Sequence, residues 1–269
     1  MYNKFMRSIL NSPSYPSVHV LFLTFNRLYY TEITLPALLE SSENASYKIR
    51  IVDNGSTDGT VEYLKKLSHP QIERVIYNRK NEGLVKPTKN FWKESKAEFI
   101  GKIDNDILVP KGWIEKLVDA HKKIPDLGVA GLCHFRKEDF NKVSVSQKVE
   151  EINGVYIRRQ PWIGGNYIMK RSTVLQHREY RQSRKLFQNR ILYGFNKFQK
   201  KLSEKGYIHG YIANAQKELL LWDHLDDPRH KLFLKDPKYL KKTRNISVAD
   251  FTSMLKKDAQ VLLEDYNVR

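Results

Sequence analysis

The sequence predicts an α/β fold, a Rossmann-like mixed sheet whose first half is mainly parallel. Apolar segments with strand composition alternate with helical segments between residues 18 and 104, as is typical of parallel strands joined by right-handed crossovers. The first strand segment, VHVLFLTF, is apolar on both faces, which is expected where helices cover both sides of a sheet. After residue 110 the alternation ends, and an Asn153-Gly154 pair between strand-like runs indicates an antiparallel hairpin.

The first half contains four predicted strands and three predicted helices. The strands are VHVLFLTF, YKIRIVDN, IERVIYN and AEFIGKID, and the helices between them are NRLYYTEITLPALLESS, TVEYLKKLS and PTKNFWKES. Pro36 lies inside the first helix and predicts a kink or a break there, because proline removes a backbone hydrogen bond.

The second half begins with a predicted helix, GWIEKLVDAHKKI, and a strand, LGVAGLCHF. Residues 143–172 have strand composition and are predicted to form antiparallel strands at the edge of the parallel sheet. A basic helix, YGFNKFQKKLSEKGY, and a helical tail from Val248 to Tyr266 follow. We expect a single domain over residues 1–269, divided into a half at 18–110, a half at 111–235 and a tail at 236–269.

The net charge of the 269-residue chain is +17, which favours a polyanionic partner: a nucleotide diphosphate, an anionic lipid surface, an acidic glycan or a nucleic acid. Over half of this excess positive charge lies between Lys170 and Lys205, a stretch that contains eleven Lys and Arg residues and only two Glu. This run is either a solvated helical face or a surface that binds a negatively charged acceptor.

Cysteine usage and hydropathy narrow the class of protein. Cys133 is the only cysteine, so an intrachain disulfide and a thiolate-rich zinc site are excluded, and we expect it to be a small buried hydrophobe. No apolar run approaches the roughly 18 to 20 residues that span a bilayer, and the N-terminus lacks the features of a secretory signal. We therefore expect a cytoplasmic or membrane-peripheral protein.

Polar loops follow all four predicted parallel strands, after Thr24, Val52, Tyr77 and Ile103. In open α/β sheets, ligands bind at the carboxyl ends of the strands, so these loops are expected to surround one crevice. The fourth loop places Asp104 and Asp106 two residues apart, directly after a buried strand. Both carboxylates can converge there on one hard divalent cation, Mn²⁺ or Mg²⁺. Neither a P-loop nor a dinucleotide glycine motif is present, so a metal-bridged diphosphate is the ligand that remains.

Four of these segments, in this order and spacing, resemble the N-terminal half of a family 2 glycosyltransferase of the GT-A fold. They are VLFLTFNR, VDNGSTDGT, NEGLVKPTKN and IDNDILVP. WIGGNYIMKRS resembles the acceptor-side strand of the same family, which extends the match to about residue 175. The resemblance implies a metal-dependent transfer of a sugar from a nucleotide sugar, with a UDP-sugar as the expected donor.

The resemblance also assigns roles to individual residues. Asp53 matches the aspartate that recognises the nucleotide base, and Asp104 and Asp106 match the D-x-D motif that holds the metal together with the donor's ribose and diphosphate. The remaining donor-contacting positions that it implies are Thr24, Asn26, Gly83, Lys89 and Asn90. Lys89 replaces the usual arginine, which keeps a positive charge near phosphate but loses bidentate geometry.

The position at which the family carries its catalytic base has no carboxylate in this chain. The segment KLSEKGY (201–207) is present, but YGFNKF stands upstream of it, and Asn196 cannot deprotonate a hydroxyl. Three alternatives follow: Asp223, Asp226 or Asp227 reaches the acceptor, the reaction needs no enzyme base, or the chain has lost activity.

The segment WDHLDDPRH lies where enzymes of this fold often supply a histidine to the metal. His224 is the expected third metal ligand, with His230 as the second candidate, and an imidazole ligand suits Mn²⁺ better than Mg²⁺. The alternative is a plain turn or helix start, with Asp227 capping and Pro228 at the first helical position.

Three functions are compatible with these features. The first is a glycosyltransferase that acts on a hydroxyl of a glycan or glycolipid. The second is a glycosyltransferase that acts on hydroxymethylated bases in DNA, for which the basic surface argues. The third is a nucleotide-sugar-binding or nucleic-acid-binding protein without catalytic activity.

Overall fold

A computed structural model describes residues 17–42, 46–177, 191–233 and 246–266. The first half has the predicted alternation of strands and helices. Its elements are β1 (Val18–Thr24), α1 (Leu28–Leu39), β2 (Tyr47–Asp53), α2 (Thr60–Lys66), β3 (Ile72–Tyr77), α3 (Val85–Glu94) and β4 (Phe99–Asp104). In the described ranges, no helix has the length and apolar character needed to cross a membrane.

The second half is more irregular and contains several short strands. Its elements are β5 (Ile107–Leu108), α4 (Trp113–Lys123), β6 (Leu127–Gly131), α5 (Lys142–Gln147), β7 (Glu150–Ile152), β8 (Val155–Arg159), β9 (Tyr167–Lys170), α6 (Arg171–Gln176), α7 (Ile191–Ser203), β10 (Ile208–Ala213), β11 (Asp223–His224) and α8 (Val248–Ala259). Single 3-10 turns occur at Lys137–Asp139 and at Gln260–Leu263.

Among the described residues, nine strands form one mixed sheet in the order β3-β2-β1-β4-β9-β6-β10-β8-β7. Strands β1 to β4 are parallel, which confirms the predicted parallel half, and β7 and β8 form the predicted hairpin at the far edge. Strand β9 lies in the segment predicted to be antiparallel and joins the edge of the parallel half at β4, but it is not an edge strand of the whole sheet, because β6 pairs with its other side. Gly101 permits this insertion, since a Cβ there would lie 2.7 Å from the carbonyl oxygen of Tyr167.

The apolar core has two layers, one on each face of the sheet. Alternate residues of β1 enter different layers: Val20 and Phe22 pack on one side with α1, α2 and α4, and Leu21 and Leu23 pack on the other with α3 and α7. Burial on both faces explains why the first strand is continuously apolar. Apolar residues therefore cover both faces of the central strands.

Two local predictions differ from the structure. Helix α1 passes through Pro36 without a break; the carbonyl that position 36 leaves unbonded belongs to the exposed Glu32, where solvent can satisfy it. Residues 142–147 form a helix instead of a strand, because the side chain of Asn141 accepts a hydrogen bond from the backbone N–H of Ser144 and caps that helix.

Cys133 is buried, as predicted, and burial raises the pKa of its thiol to about 12. Because the thiolate is the reactive form, a thiol-specific reagent such as a disulfide dye should leave folded protein unmodified at neutral pH. We expect labelling to appear only as a denaturant unfolds the chain, with the midpoint measured by circular dichroism. Rapid labelling of the folded protein would contradict this burial.

Candidate active site

The carboxyl ends of β1 to β4 lie side by side, as the sequence predicted. In the registers of the sheet, Thr24 is opposite Asp53, Asp53 is opposite Tyr77, and Leu23 is opposite Asp104. The loops that follow these strands therefore open along one edge of the sheet, which is where open α/β sheets bind ligands.

The loop after β1 has an unusual backbone. Asn26 and Arg27 both lie in the left-handed region, with φ of 54° and 63°, a conformation that costs non-glycine residues of order 1 kcal/mol or more each. The second loop holds Asn26 there: its backbone N–H donates to Ser56 Oγ at 2.7 Å, and its Oδ1 accepts from the N–H of Thr57 at 2.8 Å. The two loops thus form one rigid unit.

Thr24 lies beneath this unit and not on its surface. Its side chain is buried, with Oγ1 3.0 Å from Thr31 Oγ1 and 3.0 Å from Asn105 Nδ2. The structure therefore does not bring the hydroxyl of Thr24 to the crevice. Asn105, the middle residue of the D-x-D segment, was not singled out from the sequence, yet its amide also reaches the carbonyl of Asn26 at 3.3 Å.

Asp53 is fully buried at the end of β2. Its Oδ2 accepts hydrogen bonds from the N–H groups of Gly55 at 3.1 Å and Ser56 at 3.0 Å. Its Oδ1 is buried and has no hydrogen-bond partner among the described residues. A buried carboxylate oxygen without a donor is costly, so this atom points to a ligand that supplies one.

The loop after β3 is attached to the second loop by Asn54. Its Nδ2 donates to Asn81 Oδ1 at 2.9 Å and to the carbonyl of Gly83 at 3.1 Å, and its Oδ1 accepts from the N–H of Glu82 at 2.9 Å. Gly83 has a φ of 72°. Among the other predicted donor contacts, Lys89 is half-buried and Asn90 is exposed on α3, and their nucleotide contacts stay predictions.

Asp104 ends β4 and pairs with Lys102, a buried residue two positions earlier on the same face of the strand. The turn after β8 covers its other side, since a Cβ on Gly165 would lie 2.6 Å from Asp104 Oδ2. Trp162 at the start of this turn is 39% exposed. Lys102 and Gly165 were not singled out from the sequence, because their roles depend on this close approach.

Asp106 meets the segment around His224 through a short antiparallel pairing. Strand β11 pairs with β5, with His224 opposite Ile107, and the N–H of Leu225 donates to the carbonyl of Asp106 at 2.9 Å. As a result, one ligand atom each of Asp106, His224 and Asp226 lies within 4.8 Å of the others. Two carboxylate oxygens and an imidazole nitrogen at this spacing form a candidate metal site.

The guanidinium of Arg27 lies against this cluster. Nη1 is 3.2 Å from Asp106 Oδ2, Nη2 is 2.6 Å from Asp226 Oδ1, and the ring of Tyr30 is 4.1 Å from the guanidinium carbon. The sequence contained this arginine in the TFNR segment, but no local signal showed that it reaches residue 226.

The titratable groups of the cluster shift one another. Burial alone would raise the pKa of Asp106, but hydrogen bonds and positive charge from His224 and Arg27 hold it below its usual value. Burial alone would lower the pKa of His224, but the neighbouring Asp106 carboxylate raises it above the usual value. Asp106 is therefore ionised at neutral pH, as a metal ligand must be.

The structure separates the three aspartates of the WDHLDD segment. The carboxylate of Asp223 is 54% exposed and pairs with His230 at 3.1 Å, and that of Asp227 is buried in ion pairs with Arg136 at 3.0 Å and Arg229 at 2.7 Å. Asp226 alone of the three joins the cluster with Asp106. His230, the second metal candidate, binds Asp223 instead.

Helix α7 carries the YGFNKF segment and supports the turn over Asp104. The amide of Gln199 accepts from the N–H of Ile163 at 2.7 Å and donates to its carbonyl at 2.9 Å. Residues 178–190 of the basic run lie outside the described residues. The acceptor-binding role predicted for that run, and the roles weighed for Asn196, stay predictions.

Comparison with known proteins identifies the family. The sequence model described as Glycosyl transferase family 2 matches residues 19–217, which is most of the chain. The chain belongs to glycosyl transferase family 2. This membership confirms the family that the four motifs predicted.

Individual relatives of this family 2 glycosyltransferase are distant. A dolichol-phosphate mannosyltransferase of Pyrococcus furiosus is 28% identical over 112 residues, a match that covers 42% of this chain and 32% of that protein. The chain therefore spans about a third of the length of that curated relative.

Two solved structures share the GT-A fold with it. The mannosyltransferase PcManGT from Pyrobaculum calidifontis, in complex with GDP-Man and Mn²⁺, has a TM-score of 0.60 at 17% identity, covering 97% of this chain and 76% of that one. GalNAc-T7 with UDP, GalNAc and Mn²⁺ has a TM-score of 0.57 at 12% identity, covering 91% and 58%. At these identities the likeness shows the fold, which confirms the predicted fold class.

Proposed function

We propose that this family 2 glycosyltransferase moves a sugar from a nucleoside diphosphate sugar to a hydroxyl acceptor with the help of a divalent cation. The observation that carries the proposal is the cluster of Asp106, His224 and Asp226 at the carboxyl ends of the parallel strands. The same edge carries the buried Asp53 with its unsatisfied oxygen. The proposed cation site and the proposed site for the nucleotide base would thus lie along the same edge of the sheet.

The three candidate ligands fit the proposed ion. Two carboxylates and one imidazole suit Mn²⁺, with Mg²⁺ as the alternative for which oxygen ligands dominate. We propose Asp106, His224 and Asp226 as ligands in place of the expected set of Asp104, Asp106 and His224, because the ligand atoms of these three residues converge and Asp104 is outside the group. When bound, the cation would offset the charge that develops on the departing nucleoside diphosphate.

The protein's own residues position the donor. Oδ1 of Asp53 would accept the ring N–H of the base, while Asn26 and Asn54 hold the three loops around it. Asp104 is 27% exposed under the turn at Gly165. Its carboxylate would accept a hydrogen bond from a hydroxyl of the nucleotide sugar. Hydrogen bonds already join the three loops before any ligand binds, so binding needs little further ordering of the loops.

We propose Asp226 as a metal ligand in preference to a catalytic base. Its carboxylate lies in the cluster with Asp106 and His224, a position that suits a ligand of the cation, whereas a base must lie within hydrogen-bond reach of the acceptor hydroxyl. The other two predicted catalytic aspartates form ion pairs elsewhere. Asp223 pairs with His230, and Asp227 pairs with Arg136 and Arg229.

The donor and acceptor remain proposals. We propose a UDP-sugar as donor, with a GDP-sugar as the second candidate because PcManGT was solved with GDP-Man. The proposed acceptor is a glycan or glycolipid hydroxyl, and a hydroxymethylated base in DNA is the alternative that the basic run supports. A cytoplasmic or membrane-peripheral location stays a prediction.

The decisive experiment incubates the protein with UDP- and GDP-sugars and Mn²⁺ and measures the nucleoside diphosphate released. The acceptor arms are water, oligosaccharides, a polyprenyl phosphate and hydroxymethylated DNA. Release that depends on one donor, one acceptor and Mn²⁺ supports the proposal. Tight donor binding without release in any arm would favour the binding protein that lacks catalysis.

Replacing Asp53 by asparagine should weaken nucleotide binding. The loss of a charged acceptor for one ring N–H is expected to cost about 1.5 to 3 kcal/mol, measured by isothermal titration with UDP and GDP. Glu62→Gln is the matched control, because Glu62 is an exposed carboxylate on the neighbouring helix α2 and should bind as the wild type does. Equal nucleotide affinities in the two variants would mean that Asp53 does not contribute to nucleotide binding.

A further inference from the structure

Arg27 occupies the space between two of the three proposed metal ligands. Its two terminal nitrogens bind different carboxylates, Asp106 at 3.2 Å and Asp226 at 2.6 Å, and its side chain is 8% exposed. The positive charge is therefore already in contact with two of the carboxylates that a divalent cation would use.

The backbone and a neighbouring ring hold Arg27 in this place. Its φ of 63° follows the φ of 54° at Asn26, and such consecutive strained residues persist only where surrounding contacts over-determine them. Asn26 is fixed by Ser56 and Thr57, and the guanidinium lies 4.1 Å over the ring of Tyr30. The guanidinium is thus built into the site and is not a side chain that happens to fold over it.

The charges of the site are nearly balanced before any ion binds. Asp104 pairs with Lys102, and Asp106 and Asp226 share Arg27. With His224 neutral, as a metal ligand must be, the side chains of the site therefore carry one formal net negative charge. A divalent cation alone would meet this weak attraction and direct repulsion from the guanidinium. A nucleoside diphosphate adds at least two negative charges, and its oxygens suit the forked donors of arginine.

We propose that Arg27 makes binding of the divalent cation conditional on the nucleoside diphosphate. In the free protein Arg27 pairs with Asp106 and Asp226, offsets part of their charge and disfavours the cation. When the diphosphate arrives, Arg27 pairs with it, and the carboxylates are released to the cation. This inference rests on the metal site of the proposed function. Arg27 thereby couples the two ligands, and coupling of this kind is reciprocal.

The test measures Mn²⁺ binding by titration calorimetry and electron paramagnetic resonance, with and without UDP and GDP. Arg27→Met removes the charge and keeps an apolar chain over Tyr30, and Arg27→Gln is the second uncharged variant should Arg27→Met not fold. Arg27→Lys is the control that keeps one positive charge. Circular dichroism establishes that each variant is folded.

The wild type should bind Mn²⁺ weakly alone and at least about tenfold more tightly with the nucleotide that binds. The uncharged variants should bind Mn²⁺ alone about tenfold more tightly than the wild type and lose most of the nucleotide-induced gain. Arg27→Lys should stay close to the wild type in Mn²⁺ affinity.

Two results would overturn the inference. One is a folded uncharged variant whose affinity for Mn²⁺ alone is equal to or lower than that of the wild type. The other is a wild type that binds Mn²⁺ equally well with and without nucleotide. Failure of the wild type to bind Mn²⁺ even with nucleotide is a different result, because it would overturn the proposed metal site itself and the inference with it.

Discussion

Asp226→Asn is expected to reduce Mn²⁺ affinity and turnover about a hundredfold or more. The amide is neutral and a poorer ligand, and the change leaves the guanidinium of Arg27 with one carboxylate in place of two. Even residues that only support metal ligands typically contribute 10- to 100-fold, so a ligand itself should contribute at least as much. Mn²⁺ titration in the presence of nucleotide and the release of nucleoside diphosphate are the two measurements.

Asp223→Asn is the matched control, because it makes the same chemical change three residues earlier. Asp223 is half-exposed and pairs with His230, so Mn²⁺ affinity and turnover should stay near wild type. The pair of measurements also separates two roles for Asp226. Normal Mn²⁺ affinity with lost turnover in Asp226→Asn would make Asp226 the catalytic base, contrary to the role proposed above.

Gly165→Ala should lower turnover about a hundredfold while leaving the chain folded. A Cβ at this position would lie 2.6 Å from Asp104 Oδ2, a distance that forces either the turn or the carboxylate to move. Displacement of a positioning group by about 1 Å can cost a factor of 100 in rate. The reduction should appear in the release of nucleoside diphosphate at saturating donor.

Gly164→Ala supplies the control for this change. The nearest atom to a Cβ on Gly164 is 4.0 Å away, on the ring of Trp162, so the substitution meets only an ordinary contact. Activity should remain within a few-fold of the wild type, with thermal unfolding confirming that both variants are folded. Similar losses in both variants would mean that the turn needs flexibility, and that contact with Asp104 is not the reason for its glycine.

Local sequence patterns predicted the parts of the fold that depend on local interactions. The alternation of strands and helices predicted β1 to β4, and Asn153-Gly154 predicted the hairpin, where both residues adopt positive φ. The place of β9 could not be predicted in this way. Four residues, Tyr167–Lys170, carry no signal that tells an inserted strand from an edge strand, since the difference lies in their pairing with β4 and β6.

In the candidate site, too, local patterns predicted some residues and could not predict those that depend on contacts between distant parts of the chain. Asp53 and Asp106 follow strands directly, so strand order alone placed them at the crevice. The choice among Asp223, Asp226 and Asp227 depends on which partners each carboxylate meets in the folded chain, which no spacing rule decides. The part played by Arg27 was hidden for a similar reason, because its ion pair joins residues 199 positions apart in the chain.

The insertion of β9 has a consequence for how the chain is made. During synthesis, the first four strands leave the ribosome well before Tyr167–Lys170 exist, and β4 must wait with an unpaired edge. An exposed strand edge is a template for wrong pairing with other chains. A nascent chain stopped near residue 110 should therefore bind chaperones or aggregate, and release of the complete polypeptide, more than formation of the early strands, should decide the yield of native enzyme.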